Sequence, residues 1–165
     1  MALELVRIDC RLIHSQILEA WVPVIRADCI IVANDEVAGD KIRRMVMEMA
    51  VPSYIEVAIL PIRAAAREIE NGRWENKRAI LLLISCADAL ELFNAGMKYS
   101  NLNLGNLHFS PDKKQITYSI ALDKGDVKSL KQLNDQGVVI EIQNAPSDPP
   151  RTFSEIIKIF QDVAS

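Results

Sequence analysis

The chain lacks most of the features that tie a protein to an oxidising or a membrane environment. Its three cysteines, Cys10, Cys29 and Cys86, are widely spaced and form no Cys-x-x-Cys pair, which argues against a disulfide framework and a zinc ribbon. The longest apolar run, residues 79–84, is far too short to span a bilayer. Because Glu4 interrupts the apolar residues near the start, no signal peptide is predicted. We expect a cytoplasmic protein that does not itself span the membrane.

Several catalytic signatures are also missing. There is no G-x-x-x-x-G-K-[ST], G-x-G-x-x-G or G-x-S-x-G motif, so ATPase, dinucleotide-dependent and serine-hydrolase functions lack their signatures. The phosphatase spacing Cys-x5-Arg fails at every cysteine, and Cys10 is interpreted as a bystander rather than a thiol nucleophile. The net charge of −3 gives no support for nucleic-acid binding. Cys10, His14 and His108 suffice in number for a metal site but lack ligand spacing, so we predict neither a metal nor a cofactor.

The sequence does contain the pattern of one α/β domain. Its 165 residues are half apolar and a quarter charged, which is typical of a globular domain. Strands are predicted near residues 3–8, 28–33, 55–60, 79–84, 101–105 and 138–143. Helical spacing lies between and after them, in Ile42/Met45/Val46/Met49, Ile62/Ala65/Ala66/Ile69, Leu90/Phe93, Val127/Leu130/Leu133 and Phe153/Ile156/Ile157/Phe160. We expect a single domain over residues 1–165, with about 150–165 as a C-terminal helical extension.

Two segments depart from a simple alternation of strands and helices. A first helix is predicted from Ile17 onwards, and Pro23 is expected to end or kink it early. Residues 106–122 are expected to form an irregular hairpin or flap, with a short strand at 115–120. The alternation elsewhere predicts an α/β fold with an open, mostly parallel, twisted sheet and helices on both faces.

In open α/β sheets, ligands bind beyond the carboxyl ends of the strands. The residues predicted at that edge are 9–15 after the first strand and, after later strands, Asn34, Asp35, Glu36, Pro61, Ser85 and the range 105–108, which includes Gly105 and His108. Since strand order is not readable from one sequence, the pattern alone does not say which of these meet.

An arginine and a histidine follow the first strand and precede a helix. The imidazole of His14 supplies a nitrogen nucleophile that is largely neutral near pH 7. Arg11 lies three residues earlier, and its guanidinium donors suit phosphoryl oxygens, while N–H groups at a helix start bind anions. These features predict a phosphoryl-handling site. The alternatives are a surface or capping role for His14 and a salt bridge from Arg11 to Asp9.

The neighbours of this pair each have two interpretations. Asp9 either accepts a hydrogen bond that orients Arg11 or His14, or caps the turn. Arg7 either reaches the same edge or remains an ordinary strand residue. Two further residues, Ser15 and Gln16, would supply backbone N–H groups at the helix start, and Ser15 could cap that helix.

Residues 7–16, Arg-Ile-Asp-Cys-Arg-Leu-Ile-His-Ser-Gln, resemble the active-site loop of the IIB subunits of the bacterial sugar phosphotransferase system, mannose/fructose/sorbose family. The resemblance continues in residues 30–38, 103–109 and 135–142 and covers most of the chain, up to about residue 148. It implies that His14 accepts a phosphoryl group from a phosphohistidine on a IIA protein. His14 then passes the group to a sugar bound in the membrane subunits IIC and IID. His108 belongs to the family's Gly-x-x-His-Phe segment, and either lines the same edge or is a structural side chain.

Two positions depart from the family pattern. Ser15 stands where the family commonly has Gly, and Cys10 stands where it has a second acidic residue. One alternative function is therefore a regulatory phosphoprotein of the same fold that reports phosphorylation state without serving a transporter. A third is a small-molecule binding module without phosphotransfer. A homo-oligomer also stays open, because the last helix could pair with another subunit or simply close the domain.

Overall fold

The computed structural model describes residues 2–163, with the side chains of residues 3–163. The strands are β1 Ala2–Asp9, β2 Cys29–Ala33, β3 Glu56–Leu60, β4 Arg78–Leu83, β5 Asn101–Asn106, β6 Lys114–Gln115, β7 Ala121–Leu122, β8 Val139–Ile142 and β9 Arg151–Thr152. A π-helical segment, Ile17–Trp21, leads into α1 Val22–Ile25. The other helices are α2 Asp35–Gly39, α3 Lys41–Ala50, α4 Ile62–Glu70, α5 Cys86–Asn94, α6 Lys124–Asp135 and α7 Phe153–Asp162.

The main sheet has seven strands in the order β3-β2-β4-β1-β5-β8-β9. Six of them run parallel, and β9 pairs antiparallel with β8 at one edge. This confirms the predicted open, mostly parallel sheet, and each of the six predicted strands is present. Strand β1 lies between β4 and β5, so its carboxyl end is flanked by the ends of two parallel neighbours.

Helices cover the sheet on both faces, and each face buries its own apolar cluster. In β1, Val6 and Ile8 pack with residues of α4, α5, α6 and α7. On the other face, the loop after β1 and the π-helical segment contribute Leu12, Ile13 and Ile17 to a second cluster. Successive residues of β4 alternate between the two clusters, which explains the continuous apolar run of this strand. The loop that carries His14 is therefore anchored by its own apolar side chains.

The predicted helix around Ile42 forms as α3, but its apolar stripe points away from the protein. Ile42, Met45, Val46 and Met49 are each at least half exposed. Met47, on the opposite side of the helix, packs against the second cluster instead. Helical periodicity therefore predicted the helix correctly, without predicting which face it buries.

Two sequence expectations require correction. Pro23 was expected to end or kink the first helix, but the helical run continues past it to Ile25, and the run changes from π-helical to α-helical geometry directly before the proline. The short strand expected at 115–120 is divided: β6 and β7 form an antiparallel pair, and residues 116–120 make the connection between them. Residues 106–122 thus form the hairpin expected there. Within residues 2–163, no helix is both long and apolar enough to cross a membrane.

Candidate active site

The residues predicted to carry chemistry meet at the carboxyl end of β1. Arg7 and Asp9 are two positions apart in the strand, so their side chains point to the same face of the sheet. Both residues are completely buried. Arg7 was left open in the sequence and proves to lie at the centre of this site rather than being an ordinary strand residue.

The guanidinium of Arg7 donates five hydrogen bonds. Nε lies 3.2 Å from Oδ2 of Asp9, and Nη1 lies 2.6 Å from Oδ1 of Asn103 and 2.8 Å from the backbone oxygen of Gln143. Nη2 donates to Oε1 of Gln16 at 2.9 Å and to the backbone oxygen of Asn144 at 3.2 Å. Burial lowers the pKa of Arg7 while the charge of Asp9 raises it. An arginine with this set of acceptors remains a cation at neutral pH.

Flat and small neighbours make room for this buried guanidinium. Its Cζ lies 5.2 Å from the ring centroid of Trp21, a cation–π contact. On another side, a Cβ added to Gly105 would lie 2.0 Å from that same Cζ. Gly105 was predicted at this edge of the sheet, and the structure indicates that only a residue without a side chain fits beside Arg7.

The two carboxylate oxygens of Asp9 accept four hydrogen bonds. Oδ2 accepts from Arg7, from Nε2 of His14 at 2.9 Å and from Nδ2 of Asn106 at 2.9 Å. Oδ1 accepts from the backbone N–H of Arg11 at 3.1 Å. Burial opposes ionisation of Asp9, but the hydrogen bonds from His14 and Asn106 and the charge of Arg7 outweigh it, so its pKa is lowered. Asp9 both orients His14 and caps the turn, which combines the two roles that the sequence left open.

His14 is held in one orientation by this carboxylate. Because an ionised Asp9 only accepts hydrogen bonds, Nε2 of His14 must carry the proton. The other ring nitrogen, Nδ1, is buried and has no hydrogen-bond partner among the described residues. A neutral imidazole of this tautomer has its lone pair on Nδ1, which is the property that a nitrogen nucleophile requires.

The loop before His14 has an unusual backbone conformation. Leu12 has a φ of 56°, in the left-handed region that non-glycine residues seldom adopt. Its N–H donates to the backbone oxygen of Asp9 at 2.9 Å, and the N–H of Cys10 donates to that of Asn106 at 2.9 Å. A conformation of this kind costs of order 1–3 kcal/mol and persists only where the surroundings enforce it. Here the burial of Leu12 and these two hydrogen bonds do so.

Arg11 lies at the surface, not in the buried network. The alternative ion pair between Arg11 and Asp9 is not formed in the described part of the chain, since Asp9 pairs with Arg7 and His14. Arg11 is exposed and lines a groove of about 340 Å³ with His108, Phe109 and Tyr118 of the hairpin segment. His108 therefore lies at the carboxyl edge of the sheet, which is one of the two positions that the sequence left open for it.

Ser15 and Gln16 lie in the first helical turn. The helical turn begins at Ser15 itself, so Ser15 is not a residue that caps the helix from outside. Gln16 contributes its side chain, which contacts Arg7 and Asn106 through Oε1. Cys10 is a neighbour whose thiol pKa is raised by burial, which agrees with a bystander role. Across the described residues, no group of three or more His, Cys, Asp or Glu side chains is arranged to hold a metal.

The other residues predicted at the edge of the sheet accept hydrogen bonds from backbone N–H groups where helices begin. The side chain of Asn34 accepts from the backbone N–H of Val37 at the start of α2, and Ser85 accepts from that of Asp88 at the start of α5. Asp35 accepts from the backbone N–H of Ile62 at 2.8 Å. These residues lie at the predicted edge, but the structure brings them into none of the described hydrogen bonds with Arg7, Asp9 or His14.

Three polar residues of the site were missed in the sequence, and a fourth, Asn106, was predicted there only as part of the range 105–108. Asn103 and Asn106 belong to β5, and Gln143 and Asn144 follow β8. All four lie at or near the carboxyl ends of parallel strands, so the rule that predicted the other candidates applied to them as well. The strand order β1-β5-β8 was the missing information, because it brings these ends beside β1.

The fold and the site together define a class: a single α/β domain that presents an oriented histidine at the carboxyl edge of its sheet. Within that class, the profile of the family described as "PTS system sorbose subfamily IIB component" matches residues 3–164. The chain belongs to this family. The match confirms the main interpretation of the sequence, a phosphocarrier component of a sugar phosphotransferase system, and does not favour the regulatory alternative.

Individual relatives agree with this assignment. The fructose-specific EIIB component of Bacillus subtilis is 34% identical, over 96% of this chain and 97% of that protein. The mannose-specific EIIAB component of Escherichia coli is 29% identical over 95% of this chain, which spans 49% of that longer protein. The crystal structure of the IIBSor domain of the sorbose permease from Klebsiella pneumoniae superimposes with a TM-score of 0.89 at 30% identity, over 96% and 97% of the two chains.

Proposed function

We propose that Nδ1 of His14 accepts a phosphoryl group from a phosphohistidine of a IIA protein and delivers it to a sugar held by IIC and IID membrane subunits. One observation carries the choice of atom: Asp9 occupies Nε2, and Nδ1 is the ring nitrogen without a partner among the described residues. The same observation favours catalysis over a binding-only role, because a structural histidine would have both nitrogens satisfied.

In the first step, the lone pair of Nδ1 forms a bond to phosphorus while the P–N bond of the donor breaks. The donor imidazole leaves with the electron pair. The proton on Nε2 of His14 stays in place, and the Asp9 carboxylate stabilises the positive charge that the ring acquires. In the second step, the new P–N bond breaks as a sugar hydroxyl forms a P–O bond, and the hydroxyl proton leaves to a base or water at the membrane subunits.

Arg7 and Arg11 have different parts in this proposal. Arg7 donates to five acceptors, one of which is Asp9, so its role is to keep the Asp9–His14 pair in position. Arg11 is exposed beside the His14 loop, and its guanidinium binds the equatorial oxygens of the phosphoryl group. Backbone N–H groups of Ser15 and Gln16, in the first helical turn, support the same anion.

Acceptance requires a local movement. Nδ1 is buried in the described conformation, so either the imidazole or the loop around Leu12 shifts when the donor docks. The groove of Arg11, His108, Phe109 and Tyr118 lies next to this loop, and Phe109 and Tyr118 are mostly exposed. The IIA donor approaches His14 through this groove.

A relative named as an EIIAB component carries more than this domain, which supports a IIA protein or domain as the donor. We propose that the chain, as one IIB-like domain whose residues from about 150 onwards form a C-terminal helical extension, works in the cytoplasm beside its membrane subunits. It acts as a protein-phosphohistidine–sugar phosphotransferase.

A phosphotransfer assay tests the proposal. Phosphoenolpyruvate, the general phosphotransferase proteins and a mannose-family IIA are incubated with this chain, and intact mass is measured. We expect one acid-labile phosphoryl adduct that is absent from His14→Ala. The only other histidine is His108, so His108→Ala is the matched histidine variant; because His108 lines the donor groove, the end point of labelling is compared and not its rate, and it should be a single adduct. An adduct that persists in His14→Ala, or no adduct from an active IIA, would reject the proposal.

A further inference from the structure

The helix α3 has very little of its surface buried against the rest of the domain. Each of its residues is exposed except Met47, which is half-buried. The apolar face of α3 consists of four side chains that are 51–79% exposed, namely Ile42, Met45, Val46 and Met49. Isolated helices of this length are marginal in water, and most helices in proteins are stabilised by burial of an amphipathic face. The exposure of this face indicates that it packs against another molecule.

Contacts elsewhere on α3 attach the helix to the domain. Oδ1 of Asp40 accepts from the backbone N–H groups of Ile42 at 3.1 Å and Arg43 at 3.0 Å, so Asp40 caps the start of the helix. Nη1 of Arg43 lies 3.5 Å from Oε1 of Glu36 in α2, and Met47 packs against the second apolar cluster. These contacts hold α3 on the domain without covering its apolar face.

The apolar face of α3 has the spacing of a contact between two helices. Its four side chains follow one another at intervals of three, one and three residues, which corresponds to positions a, d, e and a of a heptad. Lys41 and Glu48 then both occupy g positions, so they lie on the same flank of the apolar face, seven residues apart. This flank therefore carries a cation near the N-terminal end of the helix and an anion near its C-terminal end.

A second copy of this chain is the partner that the charge pattern fits. A twofold axis perpendicular to two antiparallel helices keeps each flank on the same side and reverses the chain direction, so g positions face g positions. With this axis between Met45 and Val46, Lys41 of one copy and Glu48 of the second copy are offset by about 3 Å along the helices, from a rise of 1.5 Å per residue. The ion pair forms twice by symmetry. In a parallel pair, Lys41 would meet an e position, which is Val46, rather than an acid.

We propose that two copies of this chain pair through antiparallel α3 helices, which bury the apolar face of α3 and form two reciprocal ion pairs between Lys41 and Glu48. Four side chains cover less than the roughly 800 Å² per partner of a stable interface. The association is therefore weak and depends on concentration. The described hydrogen bonds of Asp9 and His14 involve no residue of α3, so pairing is independent of the proposed phosphoryl transfer.

Sedimentation equilibrium of the full chain at concentrations from about 1 μM to 1 mM tests the pairing, since weak interfaces have affinities in this range. We expect the weight-average mass to rise with concentration from that of one chain towards that of two. Met45→Glu sets two carboxylates against each other near the twofold axis and should lower the association constant about tenfold or more. Because Met45 is half exposed, the circular dichroism and thermal midpoint of this variant should match those of the wild type.

Charge reversal tests the antiparallel arrangement. Lys41→Glu replaces two attractions by two repulsions and should lower the association constant about threefold or more. The double variant Lys41→Glu/Glu48→Lys reverses both ion pairs and should restore most of the loss. Lys131→Glu, at an exposed position of α6, changes the net charge as Lys41→Glu does and should associate like the wild type.

Three results would each overturn the inference. The first is the mass of a single chain at every concentration, which would leave the apolar face of α3 to a different partner. The second is an association constant that Met45→Glu leaves unchanged, and the third is a double variant that associates no better than Lys41→Glu. Absence of phosphorylation from an active IIA would contradict the proposed function and leave this inference unaffected.

Discussion

Nε2 of His14 lies 2.9 Å from Oδ2 of Asp9, and the same oxygen lies 3.2 Å from Nε of Arg7. A buried arginine therefore fixes a carboxylate, and the carboxylate fixes the proton of a histidine. Truncation of one partner in a buried charged pair typically destabilises a protein by about 3–5 kcal/mol, because the other charge is left uncompensated. Substitutions at Asp9 and its neighbours should therefore change phosphoryl transfer and stability by different amounts.

Asp9→Asn removes the charge that holds the His14 proton. The amide oxygen of an asparagine would take the place of Oδ2, where Arg7 and Asn106 donate, but a neutral amide does not stabilise the positive charge that the imidazole acquires on phosphorylation. We expect phosphoryl acceptance to slow by about 10- to 100-fold, since a hydrogen bond to a charged group contributes roughly 1.5–3 kcal/mol. Single-turnover labelling from phosphorylated IIA measures the rate. Asp135→Asn, at an exposed position of α6, is the control, and equal rates in the two variants would refute the effect.

Asp9 should also make stability depend on pH in acid. Its pKa is lowered in the folded protein, so its ionised form contributes stability above the unfolded pKa of about 3.9. That contribution is lost as pH falls from this value through the folded pKa. The difference in unfolding free energy between wild type and Asp9→Asn should shrink as pH falls below about 4. Urea unfolding at a series of pH values measures it, and a difference that grows in acid would have the wrong sign.

Gly105→Ala tests the packing beside Arg7. The new Cβ would lie 2.0 Å from Cζ of Arg7, so the guanidinium or β5 must shift. We expect a loss of about 2–4 kcal/mol in unfolding free energy, as overpacking and a broken buried network combine. Gly39→Ala is the matched control, because no atom lies within 4 Å of its added Cβ. It should be neutral or stabilising by up to about 1 kcal/mol. Similar losses at both positions would contradict the close approach.

Arg11→Lys keeps the positive charge but removes the planar fork of donors. Since Arg11 is exposed, the unfolding free energy should change by no more than about 0.5 kcal/mol. The rate of phosphoryl transfer should nevertheless fall, because a lysine ammonium does not reproduce bidentate contact with phosphoryl oxygens. Arg63→Lys, another exposed arginine, should leave the rate unchanged. Identical transfer kinetics in Arg11→Lys and the wild type would remove Arg11 from the proposed site.

Sequence reasoning reached the parts of this site that are local in the chain. Asp9 and His14 follow one strand, so the rule that ligands bind at the carboxyl edge sufficed to select them. Asn144 could not be selected in that way, because its contact with Arg7 depends on β8 lying two strands from β1. The exposure of the apolar face of α3 could not be predicted for the same reason, because it also depends on tertiary structure. Periodicity defines an apolar face, but tertiary packing decides whether that face is buried.

The most direct measurement is the position of phosphate on the imidazole ring. The chain, with 15N-labelled histidine, is phosphorylated through a mannose-family IIA, and 15N and 31P spectra are recorded at once. We predict phosphorus on Nδ1 of His14 with a proton retained on Nε2, and no phosphorus on His108. Phosphorus on Nε2 of His14 would contradict it, since Asp9 could then no longer hold that nitrogen.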